Sequence, residues 1–208
     1  MIDISKKKML NNRILSFNPE EQDLWFTSDT HFGHYNVIEY ANRPFSSKEE
    51  MDDVLIQNWN DRVKPNDIIF HLGDFAYCGS KRIKEILESL NGRKYLILGN
   101  HDWKTFKSGQ AQHFEMMTQQ LCIKILGRKV YLNHFPYLCF PGTYKTPEKA
   151  TWQLFGHIHS GPNNTNAKDN ERIPFLWPTQ YDVGVDNNNY APINWYEIKN
   201  IIDKRMSL

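Results

Sequence analysis

Five short apolar runs divide the first three quarters of the chain, and polar residues follow each run directly. The runs occupy residues 24–28, 68–72, 96–98, 129–133 and 152–155. Short apolar runs bounded by turn-forming residues are typical of buried β-strands. The pattern therefore predicts five buried strands, each of which ends at a polar segment.

Helical spacing and turn signals occupy the segments between these runs. Apolar side chains three and four positions apart predict helices over 48–62 and 81–90, and a short helix is expected near 36–41. The pair Gly127-Arg128 separates residues 121–126 from 129–133 and predicts a β-hairpin. The last strands are expected over 181–185 and 193–198, followed by a short helix. Alternating strands and helices indicate an α/β fold.

The remaining segments are predicted as connections within one domain, residues 1–208. Residues 1–22 are polar and predict an N-terminal arm or an edge element, and residues 103–118 are expected to be irregular or helical. Residues 136–150 hold three prolines and predict a surface loop, and residues 160–180, rich in Asn, Gly and Pro, predict a long loop. A length of 208 residues fits a single domain.

Composition excludes several classes of protein. The chain has 25 Lys and Arg against 24 Asp and Glu, and this balance argues against a protein that coats long nucleic acid. Three cysteines without a Cys-x-x-Cys pair argue against a disulfide framework and predict a cytoplasmic location. Neither a signal peptide nor a membrane span of ~18 apolar residues is expected.

Residues that can bind a metal or move a proton follow each of the five predicted strands. They occur as Asp29-x-His31, Gly73-Asp74, Gly99-Asn100-His101-Asp102, His134 and Gly156-His157-x-His159. Each motif alone is weak, because Asp, Asn and Gly also form ordinary turns. In an extended segment, residues two apart face the same side, so Asp29 and His31 are expected to reach one metal together. Gly99 is expected to allow a sharp exit from its strand.

Taken in this order, the five motifs resemble those of the calcineurin-like metallophosphoesterases, in particular small single-domain phosphoesterases of bacterial and phage type. The resemblance spans residues 29–159 and implies an α/β sandwich of two mixed β-sheets flanked by helices. It also implies a centre of two divalent metal ions, with Mn expected and Fe, Zn, Ni or Co as alternatives. Asp29, His31 and His159 would hold the first metal, Asn100, His134 and His157 the second, and Asp74 would bridge them. A water between the metals would be the nucleophile.

The resemblance also assigns roles beside the metals. His101 would contact the phosphate and protonate the leaving oxygen. Asp102 could orient His101, bind a ligand, or cap the following helix. His34, Asn36 and Arg43 could contact the substrate, although Arg43-Pro44-Phe45 could equally be a structural turn. Loop aromatics Tyr144 and Trp177 could stack on a ring or pack locally.

The sequence thus predicts a metal-dependent hydrolase of phosphate mono- or diesters acting on a small substrate, with no membrane partner. One alternative is a nuclease acting on nucleic-acid ends, and another is an inert scaffold of the same fold. Monoester or diester preference, the native metals and the oligomeric state are left open.

Overall fold

A computed structural model describes residues 14–106, 110–163 and 171–207. Within them lie ten strands, which are β1 (Leu15–Phe17), β2 (Leu24–Thr27), β3 (Ile68–His71), β4 (Arg93–Ile97), β5 (Met116–Thr118), β6 (Gln120–Ile125), β7 (Arg128–Asn133), β8 (Trp152–Phe155), β9 (Gln180–Asp182) and β10 (Ile193–Asn194). The α-helices of the same segments are α1 (Tyr35–Tyr40), α2 (Lys48–Arg62), α3 (Ser80–Ser89), α4 (Asp102–Thr105) and α5 (Trp195–Met206).

The strands form two five-stranded sheets. One has the order β1-β6-β7-β8-β9 and the other the order β10-β2-β3-β4-β5. In the first sheet only β6 and β7 run antiparallel, as a hairpin, and in the second only β10 is antiparallel to its neighbour. Both sheets are therefore mixed, and the predicted α/β architecture is confirmed.

Each apolar strand of the second sheet is covered on both faces. Leu24 and Phe26 of β2 join a core cluster that includes Val130 and Leu154 from the opposite sheet. Trp25, between them, belongs to a second cluster, formed with helices α2 and α3. Since successive side chains of a strand point to opposite faces, a strand buried on both faces is apolar at nearly every position. This explains why uninterrupted apolar runs marked these strands.

Most predicted elements lie where the sequence placed them, and one prediction at the end of the chain is wrong. The segment 193–198 is a strand only as far as Asn194, where a capping box starts α5. The Asn194 side chain accepts from the backbone of Tyr196, and Glu197 accepts from the backbone N–H of Asn194 at 2.8 Å. Apolar spacing in this short segment fits either structure, and the cap decides for the helix.

Smaller differences concern the ends of strands and the connections. The strand expected over 181–185 stops at Asp182, and residues Val185–Asn187 form a 3₁₀ turn. β5 occupies part of the segment expected to be irregular or helical. The first 13 residues, and residues 164–170 of the predicted long loop, lie outside the described residues. β1 is an edge strand, one of the two forms expected for residues 1–22.

Strand direction determines where functional residues can gather. β2, β3 and β4 are parallel neighbours in one sheet, and β7, β8 and β9 are parallel neighbours in the other. Their carboxyl ends therefore lie along one edge of each sheet, the position where α/β sheets bind ligands. Among the helices of the described segments, none is both long and apolar enough to cross a membrane.

Candidate metal centre

Two groups of side chains with metal-ligand chemistry lie at this edge. The first consists of Asp29, His31 and His159, and the second of Asp74, His134 and His157. Within each group, one ligand atom of every residue lies within 4.8 Å of the others. Each group takes residues from both sheets, because β2 and β3 lie in one sheet and β7 and β8 in the other. The packing of the sheets thus creates both groups.

Asn100 lies beside the second group, and Asp74 of that group also approaches the first. The side-chain oxygen of Asn100 lies 3.1 Å from His134 Nε2, which places it beside the second group. Asp74 Oδ2 lies 3.4 Å from His134 Nε2 and 3.6 Å from His31 Nε2. This one carboxylate oxygen is therefore close to a histidine of each group, which is the position a bridging ligand requires.

The chemistry of the ligand atoms fits bound cations. Asp29 Oδ1 and His31 Nε2 are buried and have no hydrogen-bond partner among the described residues. An unpaired buried polar atom costs about 1–3 kcal/mol, and coordination of a metal would remove that cost. The donors are carboxylate, imidazole and amide groups without a thiolate, a set that suits Mn, Fe or Zn rather than a closed structural zinc site.

Protonation states in the groups reflect burial and neighbouring charge. Burial lowers the pKa of His31 well below its usual value, so this imidazole is neutral and able to bind a cation. Burial also opposes charge on Asp74 and His134, but their close approach outweighs it, lowering the pKa of Asp74 and raising the pKa of His134 to about 9. A metal at the second group would take the place of the His134 proton.

Backbone conformation at the ligands differs from the extended one that the sequence suggested. Asp29, His31, Asp74, His157 and His159 all have positive φ, between 45° and 72°. Residues other than glycine adopt this left-handed region rarely, and it is found where function over-determines the backbone. The prediction that Asp29 and His31 meet through extended-strand geometry is therefore wrong. A turn of left-handed residues brings them together instead.

Gly99 and Gly156 are required for space rather than for unusual backbone angles. A Cβ at Gly99 would lie 2.2 Å from Asp74 Oδ1, and one at Gly156 would lie 2.2 Å from Asp29 Oδ2. Neither glycine is among the positive-φ residues. The prediction that Gly99 supplies an otherwise forbidden conformation is corrected, because its role is to let Asp74 approach.

His101 borders the cleft without joining either ligand group. Its side chain is 37% exposed, and its Nε2 lies 3.9 Å from Asp74 Oδ2. The backbone N–H of His101 donates to Asp74 Oδ1 at 2.9 Å. His101 has the right-handed helical conformation (φ −84°, ψ −23°) immediately before α4.

Asp102 is buried behind the cleft, and its carboxylate accepts hydrogen bonds from the backbone of the neighbouring loops. Its carboxylate accepts from the backbone N–H groups of Asp74, Phe75 and Gly99, at 2.7–2.9 Å. No hydrogen bond among the described residues joins this carboxylate to the imidazole of His101. The contacts make Asp102 a positioning residue that ties the loop after β3 to the loop after β4.

The three predicted substrate residues occupy different environments. His34 lines a cleft of about 290 Å³ together with His31, His101 and His157. Asn36 is exposed on α1 and is not among the residues that line this cleft. Arg43 is buried, so its prediction as a substrate contact is replaced by the structural alternative. Tyr144 and Trp177 pack on each other, with ring centroids 5.2 Å apart.

Arg43 and Asp186 together form a buried support for the first ligand group. The Arg43 guanidinium donates twice to the Asp186 carboxylate, both at 2.8 Å, and once to the backbone oxygen of Asp29, at 2.7 Å. Asp186 Oδ2, which accepts from Arg43 Nη2, also lies 2.7 Å from His159 Nδ1. Burial alone would raise the pKa of Asp186, but Arg43 and His159 lower it to about 2. A carboxylate on the far nitrogen orients a histidine toward a metal.

Sequence reasoning did not select Asp186, although the signal was present. Asp186 follows the predicted run 181–185 directly, the same position that singled out the other acidic ligands. It was overlooked because no histidine accompanies it in the sequence, and its histidine partner comes from the loop after β8.

Replacing Asp186 with Asn should weaken the first metal group selectively. The affinity for one metal equivalent should fall about 10–100-fold, the usual effect of losing a residue that orients a metal-binding histidine. Stability should also fall, because Arg43 would keep a buried charge without its carboxylate. Titration calorimetry with Mn²⁺ and thermal unfolding measure the two effects.

Asp67→Asn is the matched control for this change. Asp67 is also a buried aspartate, but it accepts from Trp25 Nε1 and the Lys64 backbone at the opposite end of β3. The control should lose stability while keeping both metal affinities. Equal weakening of metal binding in the two variants would show that Asp186 acts only through general stability.

The sequence matches a known protein family over most of its length. The family model for calcineurin-like phosphoesterases matches residues 23–181. The chain belongs to this family, whose members are metal-dependent hydrolases of phosphoester bonds. The fold is the one expected from the sequence resemblance, and the structure brings six of the seven ligands it implies into two candidate groups.

Relatives of the chain come from archaea, phages and bacteria. An uncharacterised protein of Methanocaldococcus jannaschii is 36% identical, over 87% of this chain and 92% of its own length. The gene 66 protein of Mycobacterium phage D29 is 30% identical, over 79% of this chain and 88% of its own length. A protein of unknown function from Aquifex aeolicus is 26% identical, with a TM-score of 0.65 over 86% of this chain and 99% of that structure.

Proposed function

We propose that this protein hydrolyses a small phosphate mono- or diester with two divalent metal ions, Mn²⁺ being the expected pair. Asp29, His31 and His159 would hold the first ion. Asn100, His134 and His157 would hold the second. Asp74 would serve both. The observation that supports this most directly is the position of Asp74 Oδ2, 3.6 Å from a histidine of one group and 3.4 Å from a histidine of the other.

The bound pair would supply Lewis acidity, lowering the pKa of an attacking water and neutralising phosphate charge. His101 faces the cleft beside Asp74 and would donate a proton to the leaving oxygen as the bond to phosphorus breaks. Asp102 accepts hydrogen bonds from the backbone of the two loops that carry Asp74 and His101. The Asp186 carboxylate, paired with Arg43, orients His159. Positioning by buried hydrogen bonds keeps these groups fixed during the reaction.

A small substrate in the cytoplasm fits the remaining observations. The cleft of about 290 Å³ is at the lower limit for ligand pockets, which favours one small ester over a polymer. The three cysteines are free, in keeping with a reducing compartment. An inert scaffold is disfavoured, because the described residues retain all seven proposed ligands together with His101.

Removal of metal should abolish activity, and Mn²⁺ should restore it. The protein would be treated with a chelator, dialysed and assayed on 4-nitrophenyl phosphate, on bis(4-nitrophenyl) phosphate and on cyclic nucleotides, with metal content measured on the same samples. The expected result is hydrolysis of at least one ester that follows bound metal. Undiminished hydrolysis by protein shown to be free of metal would overturn the proposal.

A further inference from the structure

Exposed aromatic side chains border one end of the metal cleft. Tyr40 lines the cleft and is 67% exposed. Tyr77 is 52% exposed and is not itself a lining residue, but its ring lies against the lining residues His34 and His101. Both rings lie against His34, with centroids 6.4 Å and 4.7 Å from the imidazole. Neither tyrosine belongs to the two core clusters. Packing therefore does not explain why two large aromatic rings stand in solvent beside a polar cleft.

Packing and backbone hydrogen bonds hold in place the two segments that carry Tyr40 and Tyr77. Tyr40 is the last residue of α1, which is anchored by the buried Val37. The Tyr77 backbone N–H donates to the Phe32 carbonyl at 2.9 Å, and the neighbouring Ala76 pairs with Phe32 as an isolated bridge. The loop that carries the first two metal ligands thus also fixes Tyr77. Aromatic rings held in this way lose little conformational entropy when they bind a flat ligand.

The Tyr77 and His34 rings lie on the His101 side of the cleft. The Tyr77 ring is 5.8 Å from the His101 imidazole, and the His34 ring is 5.9 Å from it. In the proposed function, on which this inference rests, His101 protonates the leaving oxygen. A group bonded to that oxygen would therefore extend toward His34, Tyr40 and Tyr77.

We propose that Tyr40, Tyr77 and His34 form a binding subsite for a nucleobase, so that the substrate is a nucleotide-sized phosphate ester with a nucleoside as leaving group. Bases stack on aromatic side chains without regard to base identity. In the reaction, a water oxygen forms a bond to phosphorus and releases one proton to solvent, the bond from phosphorus to the nucleoside oxygen breaks, and the His101 proton moves to that oxygen. His101 regains a proton from solvent.

Binding tests the subsite independently of hydrolysis. The ligands are the methylene phosphonate analogues of AMP and of ribose 5-phosphate, which differ only by the base and resist hydrolysis. Calorimetry on the Mn²⁺-loaded protein should show about tenfold tighter binding of the AMP analogue, the range expected for one base–aromatic stack. Tyr77→Ala and Tyr40→Ala should each remove most of this difference, whereas Tyr77→Phe should keep it.

Two variants serve as matched controls. Tyr35→Ala changes an exposed tyrosine at the first position of α1, which has no ring contact with His34 or His101 among the described residues, and Tyr144→Ala changes one in the 136–150 loop that packs on Trp177. Both should keep the tenfold difference, and all variants should keep their metal content.

Three outcomes would overturn the subsite. The two analogues could bind equally well, or Tyr77→Ala could weaken both to the same extent, which would leave Tyr77 only a supporting role beside His34 and His101. A single-stranded dodecanucleotide that binds more than tenfold tighter than the AMP analogue would point to nucleic-acid ends instead. Base-dependent binding without hydrolysis of any ester would keep the subsite and refute the proposed function.

Discussion

Replacing Asp74 with Asn is expected to abolish phosphoester hydrolysis and to weaken both metal groups at once. Asp74 Oδ2 lies between His31 of the first group and His134 of the second. An amide in this position keeps the shape of the side chain but removes the negative charge that two neighbouring cations would share. Each bound metal would contribute several kcal/mol of transition-state stabilisation, so hydrolysis should fall by about a thousandfold or more.

Comparison of Asn100→Ala with Asp74→Asn distinguishes a ligand of one metal from a ligand that bridges two. Asn100 is close to His134 and belongs beside the second group, so its loss should lower affinity for one equivalent of Mn²⁺ only. Calorimetry and elemental analysis on the same preparation measure the Mn²⁺ affinity and the metal content of both variants. As a control, His113→Ala replaces a histidine outside both groups and should leave the two quantities unchanged. Loss of a single, identical equivalent in Asp74→Asn and Asn100→Ala would contradict the bridge.

Replacing His101 with Ala should leave both metals bound and reduce kcat by ~10²–10⁴, the usual range for losing a general acid. The imidazole is partly exposed at the cleft and is a member of neither ligand group. Its backbone, rather than its side chain, makes the 2.9 Å hydrogen bond to Asp74 Oδ1, so the variant keeps that contact. Metal content and kcat would be measured on one preparation.

The leaving group distinguishes the possible roles of His101. A nitrophenolate departs without a proton, whereas an alkoxide needs one. The kcat of His101→Ala should therefore fall further on an alkyl ester than on a nitrophenyl ester. Equal losses on the two esters would indicate charge stabilisation or positioning rather than proton donation. Loss of a metal equivalent would make His101 a ligand.

Sequence alone determined the class of fold and the family. Strands buried on both faces are mostly apolar, so β2, β3 and β8 were visible as runs although each contains one buried polar residue, Thr27, His71 and Gln153 respectively. Helix α2 matched its predicted bounds because apolar spacing and the Ser47 cap agree on where it begins. The strand-end residues were visible because a strand that enters a ligand site must change there from apolar to polar.

Features that depend on contacts between distant segments could not be obtained in this way. The segment after Asn194 carries apolar residues compatible with strand or helix, and the side-chain cap decided between them. Arg43 follows the first motif closely and has the chemistry to bind phosphate. Its burial against Asp186, 143 positions later, depends on how the chain folds back on itself.

The site itself shows the same division. Sequence order gave the candidate ligands, because polar residues after apolar runs must lie at strand ends. It did not give their geometry, since the side chains meet through left-handed turns at Asp29, His31, Asp74, His157 and His159 rather than through extended strands. Only the packing of one sheet against the other brings His159 to Asp29 and His134 to Asp74, because neither sheet alone holds a complete ligand group.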